Sequence, residues 1–165
     1  MRTYYNAPMP DRYRCRVEDM AIRPERTDVL EDLVHKMFER RHHRLIAGRE
    51  KQWLTVELIQ SLREESRVYR EELSSETEGP LPFALGYFQV RDGTLRLVSD
   101  EVPANVAPES FVRFLSEFLQ PGARLWFVDE TGEEGWAVRG VNHVESLSGP
   151  RGDQATDEGS EGASS

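Results

Sequence analysis

The sequence predicts an α+β fold, in which a mostly antiparallel sheet carries helices on one face. A two-residue alternation of apolar and polar side chains marks the first strand, two hairpin signals mark four more, and apolar residues three or four positions apart mark the helices. The predicted order is strand, helix in two pieces, strand, strand, helix, strand, strand. Up to the fourth strand this is the ferredoxin-like βαββαβ core, to which the fifth strand adds a C-terminal edge strand. The alternative is a separate helical hairpin packed on a smaller sheet.

The length and composition suit one folded domain. The chain has 165 residues, 38% of them apolar, and a core of ~150 residues can bury about two-thirds of the unfolded surface. The predicted domain covers residues 12–147, between a loose N-terminal arm (1–11) and a disordered acidic tail (148–165) rich in Gly and Ser. No apolar run reaches the ~18–20 residues that span a bilayer. No signal-peptide pattern opens the chain, so a cytoplasmic location is expected.

The first half of the domain is predicted to be a strand followed by two helices. Tyr13, Cys15 and Val17 alternate with charged residues, which indicates a half-buried strand. Asp28 and Glu31 have the spacing of a helix capping box, and the helix that follows runs to a basic end at 40–44. A second helix is expected over about 52–73, before a linker at 74–82.

The second half is predicted to be two hairpins around a short helix. Asp92-Gly93 is the preferred composition of a type I′ turn and predicts a hairpin over 83–102. Pro108 suits the first turn of a helix, and the phenylalanines between 111 and 118 recur at the spacing of a core-facing stripe. The last hairpin is predicted from 124–128 and 136–144, joined by an acidic turn.

No motif in the sequence points to catalysis, to a cofactor or to a metal. There is no Gly-rich phosphate loop, paired-His zinc motif, nucleophile elbow or calcium loop. His42 and His43 are adjacent, so on a helix they point about 100° apart and are poorly placed to share one metal. Cys15 is the only cysteine and is predicted to be a small buried hydrophobe. An enzyme with scattered residues around His143 is the remaining catalytic hypothesis, because an imidazole titrates near neutrality.

Two surfaces are candidates for binding. If the helices cover one face of the sheet, the opposite face carries arginines interleaved with other side chains; its members are Arg14, Arg16, Tyr87, Gln89, Arg96 and Val98. Trp126 joins this face if Leu125 and Phe127 point inward. Such a face suits a protein partner or, as in RNA-recognition folds, a nucleic acid. The second surface is the basic helix end with Arg40, Arg41 and Arg44. For both surfaces, solvent-exposed pairing of the arginines with nearby acids is the alternative.

The function expected from the sequence is that of a non-enzymatic accessory or regulatory protein that acts through protein–protein contact. A net charge of −9 opposes attraction to phosphate backbones, so nucleotide or nucleic-acid binding is the second hypothesis. Arginine accounts for 19 of the 21 basic residues, a bias typical of GC-rich genomes such as those of actinobacteria and their phages. Phage-derived inhibitors and immunity-type proteins fit this description. The identity of the partner stays open, and a homodimer is possible.

Overall fold

The computed structural model describes residues 12–40, 49–73, 82–103 and 106–147. The predicted N-terminal arm, nearly all of the predicted linker and the predicted tail therefore lie outside the described residues. In chain order the elements are β1 (Arg12–Glu18), α1 (Thr27–Arg40), α2 (Arg49–Glu65), β2 (Phe88–Arg91), β3 (Thr94–Leu97), β4 (Glu101–Pro103), α3 (Pro108–Leu115), β5 (Arg124–Asp129), β6 (Gly132–Gly140) and β7 (His143–Ser146). This mixture of helices and antiparallel strands confirms the α+β class.

Five strands form one antiparallel sheet in the order β4-β1-β5-β6-β7. β1 lies in its interior, where Cys15 is opposite Phe127 of β5 and Tyr13 is opposite Val102 of β4. These four side chains are buried, whereas the residues between them on β1 are exposed. Because successive strand side chains point to opposite faces, one face of the sheet forms the core and the other is turned away from it.

The hairpin of β2 and β3 lies outside this sheet and forms a two-stranded sheet of its own. The ferredoxin-like prediction, which places the hairpin strands in the main sheet, is therefore wrong. The physical reason is a turn at Asp19, whose φ of 56° leads the chain out of β1. The residues that follow pair with the hairpin instead. The Leu95 amide donates to the Met20 carbonyl at 2.9 Å, and the Ile22 amide donates to the Gly93 carbonyl at 2.9 Å.

The alternative prediction, helices on a smaller sheet, describes part of the structure. α1 packs against β2 and against a short 3-10 helix, Phe83–Tyr87, that precedes it. α1 also begins one residue before the predicted cap, so Asp28 lies inside its first turn. The earlier start follows from a 3-10 turn, Pro24–Arg26, that leads directly into the helix.

The Asp92-Gly93 turn is confirmed as type I′. Both residues have positive φ, 53° for Asp92 and 74° for Gly93, which this turn requires at its two central positions. The ladder beyond the turn pairs Val90 with Leu95 and Phe88 with Leu97, as a two-residue loop dictates. This hairpin is therefore specified by local sequence, whatever the location of the sheet it forms.

The last predicted hairpin is instead a three-stranded meander. Asp129 pairs with Gly132, so the loop contains only residues 130–131 and β6 begins four residues before the predicted strand. The Asp129 carboxylate accepts hydrogen bonds from the Thr131 hydroxyl at 2.6 Å and from its amide at 2.8 Å, and these bonds lower the pKa of Asp129. A second turn at Asn142, with φ of 55°, divides the predicted strand 136–144 into β6 and β7.

The predicted helix over 52–73 is interrupted at Ser66. α2 ends at Glu65, and a π-helical turn, Tyr69–Leu73, follows. The carboxylate of Glu117, which lies beyond α3, accepts hydrogen bonds from the Arg67 amide at 3.0 Å and from the Ser66 hydroxyl at 2.5 Å. The Ser66 hydroxyl in turn accepts one from the Tyr69 amide at 2.9 Å. A distant carboxylate therefore caps a new helical turn, and no local pattern indicates this.

Aromatic contacts join the two sheets across α3. Phe111 is buried between Phe88 of β2 and Phe127 of β5, with ring centroids 6.1 Å and 6.4 Å away, respectively. The rings are tilted or edge-to-face, which are the arrangements that aromatic pairs prefer. The core therefore lies between the inner face of the main sheet, the hairpin and the helices, and α3 is the element common to its two halves.

Cys15 belongs to this core, as predicted, and its environment sets a pH dependence. Burial raises the pKa of the Cys15 thiol from 9.0 to about 12. The folded state therefore holds the proton more tightly than the unfolded state does. Below pH 9 both states are protonated and stability is unaffected, whereas between pH 9 and about pH 12 the unfolded state loses its proton first and stability falls.

We therefore expect Cys15 to resist iodoacetamide in the native protein at about pH 8 and to react after denaturation, because the thiolate is the reactive species. Urea unfolding at about pH 8 and about pH 10.5 gives the stability comparison. Cys15→Val should reduce the loss of stability between these two pH values. An equal loss in wild type and variant would contradict the assignment of that loss to Cys15.

Candidate interaction surface

The outer face of the five-stranded sheet is the surface turned away from α3. We use this name for the side chains that alternate with the core residues and that neighbour one another across the strands; they are Arg12, Arg14, Arg16 and Glu18 of β1, Glu101 and the buried Pro103 of β4, Arg124, Trp126 and Val128 of β5, and Glu133, Gly135 and the buried Ala137 of β6. The four side chains of β1 are exposed. In the part of the chain that the structure describes, no helix covers this face.

Trp126 is held in place by Arg16, its direct cross-strand neighbour. The guanidinium carbon of Arg16 lies 4.1 Å from the centroid of the indole ring. The same guanidinium is paired with Glu133 (Nη2 to Oε2, 3.1 Å) and lies near Glu18 (Nη1 to Oε2, 3.7 Å). The Arg16 side chain is 55% exposed, so the stacking contact contributes about 0.5–1 kcal/mol. The stacking and the ion pairs together fix the orientation of the ring.

Gly135 supports the other side of Trp126. A Cβ at this position would lie only 2.6 Å from Cδ1 and Nε1 of the indole, so the ring occupies the space that a side chain would need. The Leu147 amide donates to the Gly135 carbonyl at 2.8 Å and so holds the end of β7 against this part of β6. Gly135, Glu133 and Leu147 were not among the predicted site residues. A glycine inside a strand signals close approach by another group, and this signal could have identified Gly135.

We expect Gly135→Ala to displace the indole ring and to break its stacking on Arg16, because the new methyl group overlaps the ring. The indole N–H resonance of Trp126 and the near-ultraviolet circular dichroism report the displacement. If Gly135→Ala lowers the free energy of unfolding because of this overlap, the loss should disappear in a Trp126→Ala background. A double-mutant cycle measures this difference. A cost of equal size in both backgrounds would contradict the contact.

Arg12 and Arg14 are the cations of the outer face that no acid among the described residues neutralises. Both are exposed, and within the described ranges neither has a side-chain hydrogen bond or an ion pair. Glu101 lies opposite Arg14 in the strand register, but the two side chains form no ion pair. Arg124, in contrast, pairs with Asp19 at 2.8 Å. The available positive charge therefore lies at the Arg12 end of β1, where Arg14 is two residues from Arg16, the cross-strand partner of Trp126.

The remaining residues of the predicted face lie on the other sheet. Gln89 and Arg96 form an exposed cross-strand pair on the β2–β3 hairpin, and Tyr87 is half-buried in the 3-10 helix before it. Arg96 lies 3.8 Å from the Asp92 carboxylate. The prediction of one continuous face is therefore wrong, because the hairpin forms no ladder with the main sheet. The structure brings Arg14, Arg16 and Trp126 together and separates them from Tyr87, Gln89 and Arg96.

The predicted basic helix end is largely outside the described residues. Arg40 is the last residue of α1, and Arg41 and Arg44 fall in the undescribed range that follows. A binding role for these three arginines stays a prediction.

His143 lies exposed at the start of β7, next to a polar network with a structural role. The Arg113 guanidinium donates to the Asn142 carbonyl at 3.0 Å and pairs with Glu109 at 2.6 Å. The buried Ser116 hydroxyl accepts a hydrogen bond from the Asn142 amide at 2.7 Å. The network holds the β6–β7 turn against α3. Among the residues placed by the structure, no group of three potential ligands could hold a metal ion.

The chain matches no protein-family model, no curated protein and no solved structure. The outer face must therefore be interpreted from its own geometry. None of the helices that the structure describes is both long and apolar enough to cross a membrane.

Proposed function

We propose that this is a cytoplasmic, non-enzymatic accessory or regulatory protein that binds a protein partner through the outer face of its five-stranded sheet. The observation that carries the proposal is the arrangement of Trp126 between Arg16 and Gly135, next to the unneutralised Arg12 and Arg14. Tryptophan and arginine are the residues most enriched among the hot spots of protein interfaces.

The geometry favours binding because the aromatic anchor is already ordered. Association costs about 0.5–1.5 kcal/mol for each flexible side chain that it immobilises. Trp126 avoids most of this cost, since Arg16 on one side and Gly135 on the other hold its ring in the free protein. Immobilising the indole before the partner arrives leaves more of the contact energy for affinity.

The free arginines indicate the chemistry of the partner. A guanidinium forms bidentate hydrogen bonds with a carboxylate, and these charge-assisted bonds are about twice as strong as neutral ones. Arg12 and Arg14 are exposed and have no acid of their own within the described residues. The proposed partner therefore presents an acidic segment with an apolar group that packs on Trp126.

Two observations disfavour nucleic acid as the ligand of the outer face. The ring face of Trp126 that carries the Arg16 guanidinium is not free for a base, whereas single-strand binding depends on stacking. The chain also has a net charge of −9, which opposes the long-range attraction on which binding to a phosphate backbone depends.

Reversing the charge of Arg14 should abolish most of the binding. We expect Arg14→Glu to weaken the affinity by about thirtyfold, since loss of a hot spot costs about 2 kcal/mol or more. Partners are captured from extracts of the source organism on wild-type protein and identified by quantitative mass spectrometry, and Kd is then measured with the purified partner. Arg91→Glu makes the same charge change at an exposed position of the hairpin and is the matched control.

Equal capture by wild type and Arg14→Glu would contradict the proposed surface. Loss with Arg91→Glu alone would assign the interface to the hairpin instead. Fluorescence anisotropy with labelled oligonucleotides at ~50 mM salt tests the nucleic-acid alternative, because electrostatic contacts are strongest at low salt. Tight binding there that Arg14→Glu abolishes would replace the proposed function with nucleic-acid recognition.

A further inference from the structure

We infer that the acidic segment 148–165 of this same chain binds Arg12 and Arg14 and shields the outer face from its partner. The inference rests on the proposed function, since it assigns an intramolecular competitor to the same surface. Three properties of the molecule support it. These are the position of Leu147, where the described chain ends, the distance from Leu147 to Arg14, and the opposite charges of the segment and of the two arginines.

The chain leaves the sheet on the correct side and in the correct direction. Leu147 lies beside Gly135, because its Cβ is 3.3 Å from the position that a Cβ on Gly135 would take. β7 is antiparallel to β6, and its pairing passes from Trp136 opposite Ser146 to the Gly135–Leu147 hydrogen bond. The described chain therefore ends at Leu147 while running antiparallel to β6, in the direction of Glu133.

Arg14 lies on the row of the sheet that contains Glu133, since Glu133 is opposite Val128 on β5 and Val128 is opposite Arg14 on β1. Measured from Leu147, Arg14 is three strand spacings across the sheet and two residues along it, or ~16 Å in all. Asp153 is the sixth residue after Leu147, and six extended residues span ~20 Å. The first acid of the segment can thus reach Arg14 while β7 stays paired.

The charges of the segment and of the surface are complementary. Residues 148–165 contain Asp153, Asp157, Glu158 and Glu161 against Arg151, which gives a net charge of −3. Arg16 is already paired with Glu133, so the positive charge available to the segment is that of Arg12 and Arg14. Each exposed pair contributes only about 0.2–1 kcal/mol. A short tether raises the effective concentration to the mM range, so the segment occupies the two arginines in a minority of the molecules at any moment.

A spin label on the segment tests this contact in the full chain. Cys15 is buried, and burial raises its pKa to about 12, so a label on Ser160→Cys is selective. We expect the indole N–H resonance of Trp126 to lose intensity at low salt. It should recover in the Arg12→Gln, Arg14→Gln double variant. It should also recover at ~1 M salt, where the Debye length is ~3 Å. Arg91→Gln, the matched control, should leave the loss unchanged.

The inference would be overturned if the Trp126 resonance lost no intensity at low salt. It would also be overturned if the loss remained both at high salt and in the double variant. Neutralising the four acids with Asp153→Asn, Asp157→Asn, Glu158→Gln and Glu161→Gln should raise partner capture by up to about 1.3-fold. If Arg14→Glu abolishes capture but neutralising the segment does not raise it, the shielding fails and the proposed function stands. If the segment docks but capture ignores Arg14→Glu, the proposed function fails and the docking stands.

Discussion

Replacing Phe111 with alanine should lower the free energy of unfolding by about 3–5 kcal/mol, which is the range measured when a buried phenylalanine is replaced by alanine. The Phe111 ring is 2% exposed and contacts Phe88 on the hairpin and Phe127 on the main sheet. Its loss therefore removes a contact on both sides of α3. A cavity between two sheets joined in this way cannot collapse without moving one of them.

Urea denaturation followed by circular dichroism measures this effect. Phe38→Ala is the matched control, because it deletes the same atoms from a side chain that is 46% exposed. The control should lose well under half as much stability, since less apolar surface is removed from the interior. Equal losses for the two variants would show that Phe111 does not connect the two sheets.

Gly86→Ala should lower the free energy of unfolding by about 1–3 kcal/mol, although it adds only one methyl group. A Cβ at Gly86 would lie 2.9 Å from the carbonyl carbon and oxygen of Met37 and 3.1 Å from the Phe38 amide nitrogen. These are backbone atoms in the last turn of α1, so the clash cannot be relieved by a change of rotamer. The helix must move away from the 3-10 turn and from β2, which loosens the packing beneath it.

Gly140→Ala is the control for this substitution. A Cβ there would meet only the Cβ of His143, at 3.9 Å, which is an ordinary contact distance. Urea denaturation of both variants should therefore give a loss at Gly86 and a change within about 0.5 kcal/mol at Gly140. A Gly86→Ala variant as stable as wild type would mean that α1 does not rest directly on this glycine.

The parts of the fold that sequence reasoning predicts well are those decided by neighbouring residues. The type I′ turn at Asp92-Gly93 needs two positive φ angles, and this residue pair tolerates them, so the hairpin is correctly predicted. The helix that begins at Pro108 carries its own apolar spacing, and its core-facing phenylalanines are buried as expected.

The parts that it misses depend on contacts between distant segments. Nothing local to β1 indicates that it pairs with β4 and β5 in preference to the hairpin, since all these strands offer similar ladders. The positive φ of Asp19 and the capping of residues 66–69 by Glu117 are visible only once the tertiary structure is known.

The candidate surface shows the same division. Alternation along β1 correctly places Arg14 and Arg16 on the face opposite Cys15. Trp126 joins them because Leu125 and Phe127 point inward, as predicted. Tyr87, Gln89 and Arg96 were assigned to this face through an assumed strand order, and that assignment failed with the order. The alternation of side chains along a strand is decided by its own sequence, whereas the strands that pair with it are decided by distant segments.

The interior place of β1 in the sheet has a consequence for how the chain is made. Cys15 finds its partner Phe127 only after about 110 further residues have been added, a delay of roughly 5–20 s at ordinary translation speeds. During that interval, both hydrogen-bonding edges of the strand are open to other chains. We therefore expect nascent chains truncated before residue 124 to associate with chaperones that bind extended apolar segments. Release should follow once β5 and β6 have left the ribosome.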